Sequence, residues 1–250
     1  PQPVAPLATS AQGMKLDVPA DPANLKRVPV VGEAIRILKR NPTEDFAVGA
    51  WVPGPFTLAS MIVDVGALIM ETRTAPEAVG SALDELTDLL IEVALSYHSA
   101  GADFLTVHEM GGSPGFIGPA AFEELVLPRL QRLLASLPSP RVLHVCGNTN
   151  MAIDLLATAG ADALSVDQLN DVGKTRATLG ASQVLLGNID PVGVLSHGTP
   201  QEVRAAVDKA RAAGVNAIWP GCDLMPQLPS ENMIAMAEET HDPRPHHPGG

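Results

Sequence analysis

Aromatic residues are scarce in this 250-residue sequence, where Phe, Trp and Tyr make up 3%. That rules out a core of stacked rings. An interior has to come from Ala, Val, Leu, Ile and Met, which the 46% hydrophobic share permits. Positive charge is also thin. Sixteen Lys and Arg stand against 28 Asp and Glu, the formal net charge is −12, and no Lys/Arg run exceeds two residues. This balance argues against a nucleic-acid or anionic-membrane surface. No apolar run is long enough to span a bilayer. The opening PQPVAPLATSAQGMKLDVPAD lacks the basic and apolar regions of a secretory leader. The reading is of a cytoplasmic protein with no membrane or nucleic-acid partner. Cysteine is limited to Cys146 and Cys222. In a reducing compartment these are expected as ligands, catalysts or small buried hydrophobes rather than as a disulfide.

What is present is a repeat of strand and helix. Apolar, β-rich runs occur at AVGAWV (47–52), DFLTVHE (103–109), RVLHVC (141–146), DALSVD (162–167), QVLLGNI (183–189) and NAIWPG (216–221). Helical spacing marks VGEAIRILKR (31–40), residues 75–101, residues 119–137, NMAIDLLATAG (150–160) and PQEVRAAVDKARAAG (200–214). Three helices run into the next strand through a Gly step, AGAD (100–103), AGAD (159–162) and AGVN (213–216), as a C-terminal cap requires. The alternation predicts an α/β fold with a parallel sheet covered by helices.

Polar groups gather at the C-terminal ends of many strands: His108 and Glu109, His144 and Cys146, Asp167, Asn188 and Asp190, Cys222 and Asp223. An open doubly wound sheet concentrates such groups at one switch point, whereas a (β/α)8 TIM-type barrel collects them from successive strands. The barrel is therefore predicted, with about six of its eight β/α units recognisable. Residues 1–45 are read as an arm with a short helix, 46–240 as the barrel portion and 241–250 as a disordered tail.

His144 and Cys146 are two apart on one strand, so their side chains leave the same face at its C-terminal end. Cys222 ends another strand 76 residues later, about two β/α units away. Two thiols and an imidazole suit zinc, and three protein donors leave one position for chemistry. Glu109 and Asp167, at neighbouring strand ends, are each candidates for a catalytic carboxylate that reaches the metal or orients a ligand. Gly54, Pro55 and Phe56 are read either as lining a substrate cavity or as a structural turn. Asn188 and Asp190 are read either as substrate contacts or as a helix cap. His98, His197 and His241 are expected at the surface, and His246 and His247 in the tail. Met225, Met233 and Met236 are expected as core filler.

The segments GPFTLAS (54–60), FEELVLPRLQRL (122–133), HVCGNT (144–149), GADALSVDQ (160–168), GNIDPV (187–192) and PGCDLMPQLPSENMIAM (220–236) resemble the uroporphyrinogen decarboxylase superfamily. Within it they resemble the branch containing methylcobamide:coenzyme M methyltransferases. More distantly, the pattern is similar to cobalamin-independent methionine synthase. The resemblance implies that His144, Cys146 and Cys222 ligate Zn2+. It also implies that a methyl group passes from a methylcobamide on a partner corrinoid protein to a zinc-activated thiol such as coenzyme M.

Relatives of this type usually carry about two more N-terminal β/α units, which matches the strand shortfall. The resemblance therefore also allows a complementing N-terminal chain or a homo-oligomer as partner. Two other functions remain in view: a uroporphyrinogen decarboxylase-type lyase, and a non-catalytic or split subunit of a methyltransferase system. The lyase needs cationic groups for a polycarboxylate, and no Lys or Arg cluster lies near the strand ends.

Overall fold

The computed structural model describes residues 6–12, 19–40 and 46–241. Residues 242–250, with the expected tail and His246 and His247, lie outside the described residues. Six strands form at the expected runs: β1 (Gly49–Pro53), β2 (Phe104–Glu109), β3 (Arg141–Val145), β4 (Ala163–Val166), β5 (Val184–Ile189) and β6 (Ala217–Pro220). Their order in the sheet follows the chain. Parallel register runs from Gly49 opposite Phe104 to Pro53 opposite His108, from Ala163 opposite Val184, and from Leu186 opposite Ala217.

The helices are α1 (Val28–Arg40), α2 (Pro55–Ile62), α3 (Val65–Thr74), α4 (Pro76–Ser99), α5 (Pro114–Ile117), α6 (Pro119–Ala121), α7 (Leu127–Ser136), α8 (Ile153–Ala157), α9 (Val172–Leu179), α10 (Pro200–Ala212) and α11 (Ser230–His241). The single helix expected over 119–137 is interrupted by a π-helical turn, Phe122–Val126, just before Pro128. Proline has no N–H for the regular ladder, so the i→i+4 pattern cannot run through it unbroken. Helices α2, α3, α5, α9 and α11 fall outside the helical spans expected from residue spacing. The expected Gly steps hold: Gly101, Gly160 and Gly214 have φ of 112°, 85° and 102°, a region costly for any residue with a Cβ.

The chain divides into two compact units. One runs to His144 and includes Thr158–Asp162, and the other comprises Val145–Ala157 and the chain from Ala163. In the first unit α4 packs on α1, α2, α3, α7 and β1. Val79, Leu83, Leu86, Leu90, Ala94 and Tyr97 recur every three or four residues and form its buried stripe. Burying each large aliphatic side chain in it contributes roughly 1.5–3 kcal/mol. Part of the expected N-terminal arm is docked: Leu7 and Ala8 donate backbone N–H to Ile62, and the Ala11 N–H donates to Glu71 Oε2 at 2.8 Å. An apolar groove of about 350 Å³ follows β1, bounded by Val31 and Ile35 of α1 and Leu90, Val93 and Tyr97 of α4.

In the second unit α10 buries Val203, Val207 and Ala210, while Thr199 and Glu202 close a capping box at its start. Helix α11 is held by Asn232, whose Nδ2 donates to Leu195 O at 2.9 Å and Gly198 O at 2.8 Å. Met225, expected in the core, is 48% exposed, because it lies on the irregular stretch after β6 rather than on a packed helix face. His98, His197 and His241 are exposed, as expected.

One buried clamp sets the start of α2. Glu109 is fully buried, and its carboxylate accepts from Phe56 N at 3.1 Å, Thr57 Oγ1 at 2.5 Å and Gly112 N at 2.9 Å. Thr57 Oγ1 in turn accepts from Met110 N and Gly111 N at 2.7 and 3.1 Å. Gly54 is required beside it, since a Cβ there would sit 2.2 Å from Glu109 Oε2 and 2.9 Å from its Cβ. Burial pushes the Glu109 carboxyl up to about 7, against the opposing pull of these hydrogen bonds.

Two outcomes follow. Gly54→Ala should lower stability by roughly 2–4 kcal/mol in denaturant unfolding, because the new methyl group has to displace the clamp. The folded-state pKa of Glu109, about 7, lies above the ordinary 4.5, so its contribution to stability is complete below pH 4.5 and is lost as pH rises through 7. Relative to Glu109→Gln, the unaltered chain should lose on the order of 3 kcal/mol across that window. Identical pH slopes for the two proteins would contradict the raised pKa.

Candidate metal centre

Strand β3 carries His144, and Cys146 is the first residue past its end at Val145. Alternation through the end of the strand puts His144 and Cys146 on one face while Val145 points away and is buried. The boundary between the compact units falls just after His144, within this continuous strand. His144 and Cys146 are thus two residues apart, one in the strand and one just past its end. Cys146 and Cys222 are both in the second unit, where their sulfurs approach to 2.8 Å in hydrogen-bonding contact without forming a disulfide. Among the described residues, His144, Cys146 and Cys222 form a group whose ligand atoms all lie within 4.8 Å of one another, close enough to hold one metal ion.

Backbone contacts fix both cysteines. Ahead of Cys222, the Gly221 N–H donates to Ile189 O at 2.7 Å. A Cβ at Gly221 would lie 2.6 Å from Gln168 N, so only glycine allows this approach. Behind Cys146, the Gly147 N–H donates to Asp167 Oδ2 at 2.8 Å, and Asp167 Oδ1 accepts from Leu169 N at 2.8 Å. The Cys146 thiol is held far above its usual range. The largest cause is its bond to the Cys222 sulfur, followed by burial and the negative charges of Cys222, Asp167 and Asp223. A concentration of negative charge and soft donors at this point fits a divalent cation, which would relieve the repulsion that keeps the thiol protonated.

The other expected site residues are placed differently. Glu109 is not in the donor group. It is adjacent to His108 on β2, and because strand side chains alternate, it faces α2 while His108 faces His144. Asp167 is near the centre, and its two oxygens accept from the backbone N–H groups of Gly147 and Leu169, which braces the loop after Cys146. Gly54, Pro55 and Phe56 are buried at the start of α2, with Phe56 fully enclosed. Asp190 caps the turn Pro191–Ser196, accepting from Val192 N and Gly193 N at 2.9 Å. Asn188 Nδ2 donates to Asp167 O at 3.2 Å and Asn170 O at 3.1 Å, tying β5 to the loop after β4.

Two rings given no role from the sequence lead up to the group, His108 having been noted there only as a strand-end polar residue. The His108 ring tilts against His144, with centroids 5.0 Å apart and planes at 53°. Trp51 stacks on His108 in turn, at 5.1 Å and 24°. The available signal was strand register, which makes Trp51 and His108 diagonal neighbours on one face.

The family model described as uroporphyrinogen decarboxylase (URO-D) matches residues 1–243. The chain is 31% identical over 220 residues to the methylcobamide:CoM methyltransferase MtaA of Methanosarcina barkeri, covering 88% of this chain and 65% of that protein. It is 28% identical over 246 residues to uroporphyrinogen decarboxylase of Geotalea daltonii, covering 94% of this chain and 71% of that protein. A solved methyltransferase from Methanosarcina mazei superposes with a TM-score of 0.87 at 30% identity, covering 94% of this chain and 69% of that one. With that likeness, the six β/α repeats are identified as a partial TIM-type barrel. The chain thus spans about two thirds of the length of these methyltransferases.

The purified chain should bind about one equivalent of zinc by metal analysis. Cys222→Ser should lose it, and Gly221→Ala, which displaces Cys222, should weaken it about tenfold. Because thiol protons have to leave on binding, apparent affinity should strengthen as pH rises. Unchanged zinc in Cys222→Ser would eliminate the site.

Proposed function

The chain belongs to the uroporphyrinogen decarboxylase family, and from that premise we propose that it acts in a corrinoid-dependent thiol methyltransferase. The donor group of His144, Cys146 and Cys222 carries this reading. It is a soft ligand set that decarboxylation has no use for, and similarity to methylcobamide:CoM methyltransferases of Methanosarcina supports it. In this reading His144, Cys146 and Cys222 hold Zn2+ and leave one coordination position to the acceptor. Zinc supplies the charge that lowers the pKa of a coordinated thiol, so the acceptor is a thiolate near neutral pH.

The remaining work falls to the chain's own residues. Asp167 fixes the backbone after Cys146, and Gly221 admits the backbone before Cys222, so the two thiolates are placed before metal or substrate arrives. Asp167 and Asp223 add negative charge that favours a cation over a proton at the sulfurs. Asn188 braces the Asp167 loop from β5. The acceptor sulfur forms its new bond to the methyl carbon as the carbon–cobalt bond of the corrinoid breaks. The cobalt keeps the electron pair, and the acceptor's proton goes to solvent. The corrinoid is carried on a partner protein, and the acceptor is a small thiol of the coenzyme M type. Decarboxylation of a uroporphyrinogen is the second reading, favoured by the 28% identity to such enzymes.

With methylcobalamin and a panel of small thiols, the chain should show zinc-dependent demethylation, followed by loss of the carbon–cobalt absorbance. Cys146→Ala should slow it at least ~100-fold, beyond the 10–100-fold typical of residues that only support a ligand. Zinc-independent rates with every thiol, or turnover of a porphyrinogen, would overturn the assignment.

A further inference from the structure

Trp51 is 51% exposed, yet its ring lies flat on an imidazole instead of entering the apolar core. It shares the first unit with His108 and His144. The three rings sit on β1, β2 and β3 in turn and form a row across one face of the sheet. The row ends at His144, which is 2% exposed and is the one imidazole in the donor group. The opposite face of β1 and β2 packs differently: Ala50, Val52, Leu105 and Val107 are buried there with α4 and α2. In a chain with only two tryptophans and 3% aromatic residues, rings are not filler.

A histidine ligand has to present one nitrogen along the metal direction, and rotation about its side-chain bonds defeats this. A hydrogen bond to the second nitrogen and packing against neighbouring rings both restrict that rotation. A flat surface bears on the His144 ring at 5.0 Å and 53°, and that surface is itself backed by an indole at 5.1 Å and 24°. Tilted and offset ring pairs are favourable aromatic geometries. Two such contacts in series limit the orientations open to the last ring.

We propose that His108 and Trp51 are positioning residues for the metal centre, acting on His144 through ring packing. The proposal rests on the reading of His144, Cys146 and Cys222 as metal ligands. It predicts that ring shape at positions 108 and 51 governs metal affinity while metal stoichiometry stays unchanged.

The test is zinc affinity of the full chain by competition with a chromophoric chelator, with far-UV circular dichroism as the check on folding. His108→Ala and Trp51→Ala should each weaken zinc binding by about tenfold, the scale of residues that orient a ligand. His108→Phe and Trp51→Phe keep a ring but remove the imidazole nitrogens or the indole N–H, and they should bind within about threefold of the unaltered chain. Trp51 is half in solvent, so its variants keep the test decisive if His108→Ala does not fold. Unaltered affinity in both alanine variants would overturn the proposal. Equal loss in His108→Phe and His108→Ala would also overturn it, since His108 would then act through a nitrogen. Absence of zinc from the unaltered chain would instead sink the metal reading beneath it, a result distinguishable from either of these.

Discussion

Side-chain alternation along two adjacent strands is the constraint on which the rest of this structure depends. At the end of β3, residues two apart share a face, which puts the His144 imidazole beside the thiol of Cys146, the first residue after the strand. On β2, neighbouring residues are driven apart. His108 goes to the His144 side, and Glu109 goes to the helix side, where it clamps the first turn of α2. One period of two thereby separates chemistry from scaffold. A slip of one residue in β2 would bury an imidazole under α2 and send an uncompensated carboxylate toward the thiols. The buried Glu109 therefore holds register as well as a helix end, and its three hydrogen bonds are formed only when the register is right.

The second constraint is closeness of backbone, and glycine supplies it. Gly54 leaves room for the Glu109 carboxylate, and Gly221 leaves room for the Gln168 backbone. Each stands next to the group it serves: Gly54 one residue before α2, Gly221 one residue before Cys222. The positions of Cys146 and Cys222 are thus set from behind by peptide groups, through Gly147 to Asp167 and Gly221 to Ile189. Rigid placement matters here because two sulfurs 2.8 Å apart, with two aspartates nearby, repel once ionised. A flexible loop would separate them, whereas this backbone keeps them together and leaves a cation as the stabilising partner.

Much of this could be read from the sequence because it is periodic or local. All six strands, α4, α10 and the three glycine steps follow from hydrophobic spacing and turn chemistry. His144 and Cys146 follow from a spacing of two, and Cys222 follows from its equivalent place at a strand end. What escaped is non-periodic or tertiary. Helix α2, PFTLASMI, is apolar on most sides, so no amphipathic pattern announces it. Helix α9, VGKTRATL, is short and mostly polar, and its Asp171 cap is its clearest signal. Glu109 and Asp167 both stand at strand ends, where catalytic carboxylates occur. Their partners, Phe56 and Thr57 for one and Gly147 and Leu169 for the other, come from elsewhere in the chain or from backbone that carries no side-chain signature. The ring row escaped for the same reason: Trp51 and His108 are 57 positions apart and meet only through the register of β1 on β2.

Under the proposed function, metal binding and methyl transfer would make different demands on this fold. The donor group needs only the end of β3 and the segment after β6, together with the residues that brace them from β4 and β5, and each link in it is short. His144 to Cys146 is two residues at the end of β3, and Cys146 to Cys222 is one contact between sulfurs. The proposed transfer would additionally need a surface on which a corrinoid protein could present its methyl group, and the methyltransferases similar to this chain are about half as long again. Affinity for the metal should therefore track the local features around the donors: Gly221, Asp167 and the ring row. Turnover should track everything those features share with the rest of the family's barrel. A substitution at Gly221 that lowers metal occupancy and turnover in the same proportion would place the activity at these ligands. One that lowers only occupancy would place it elsewhere in the fold.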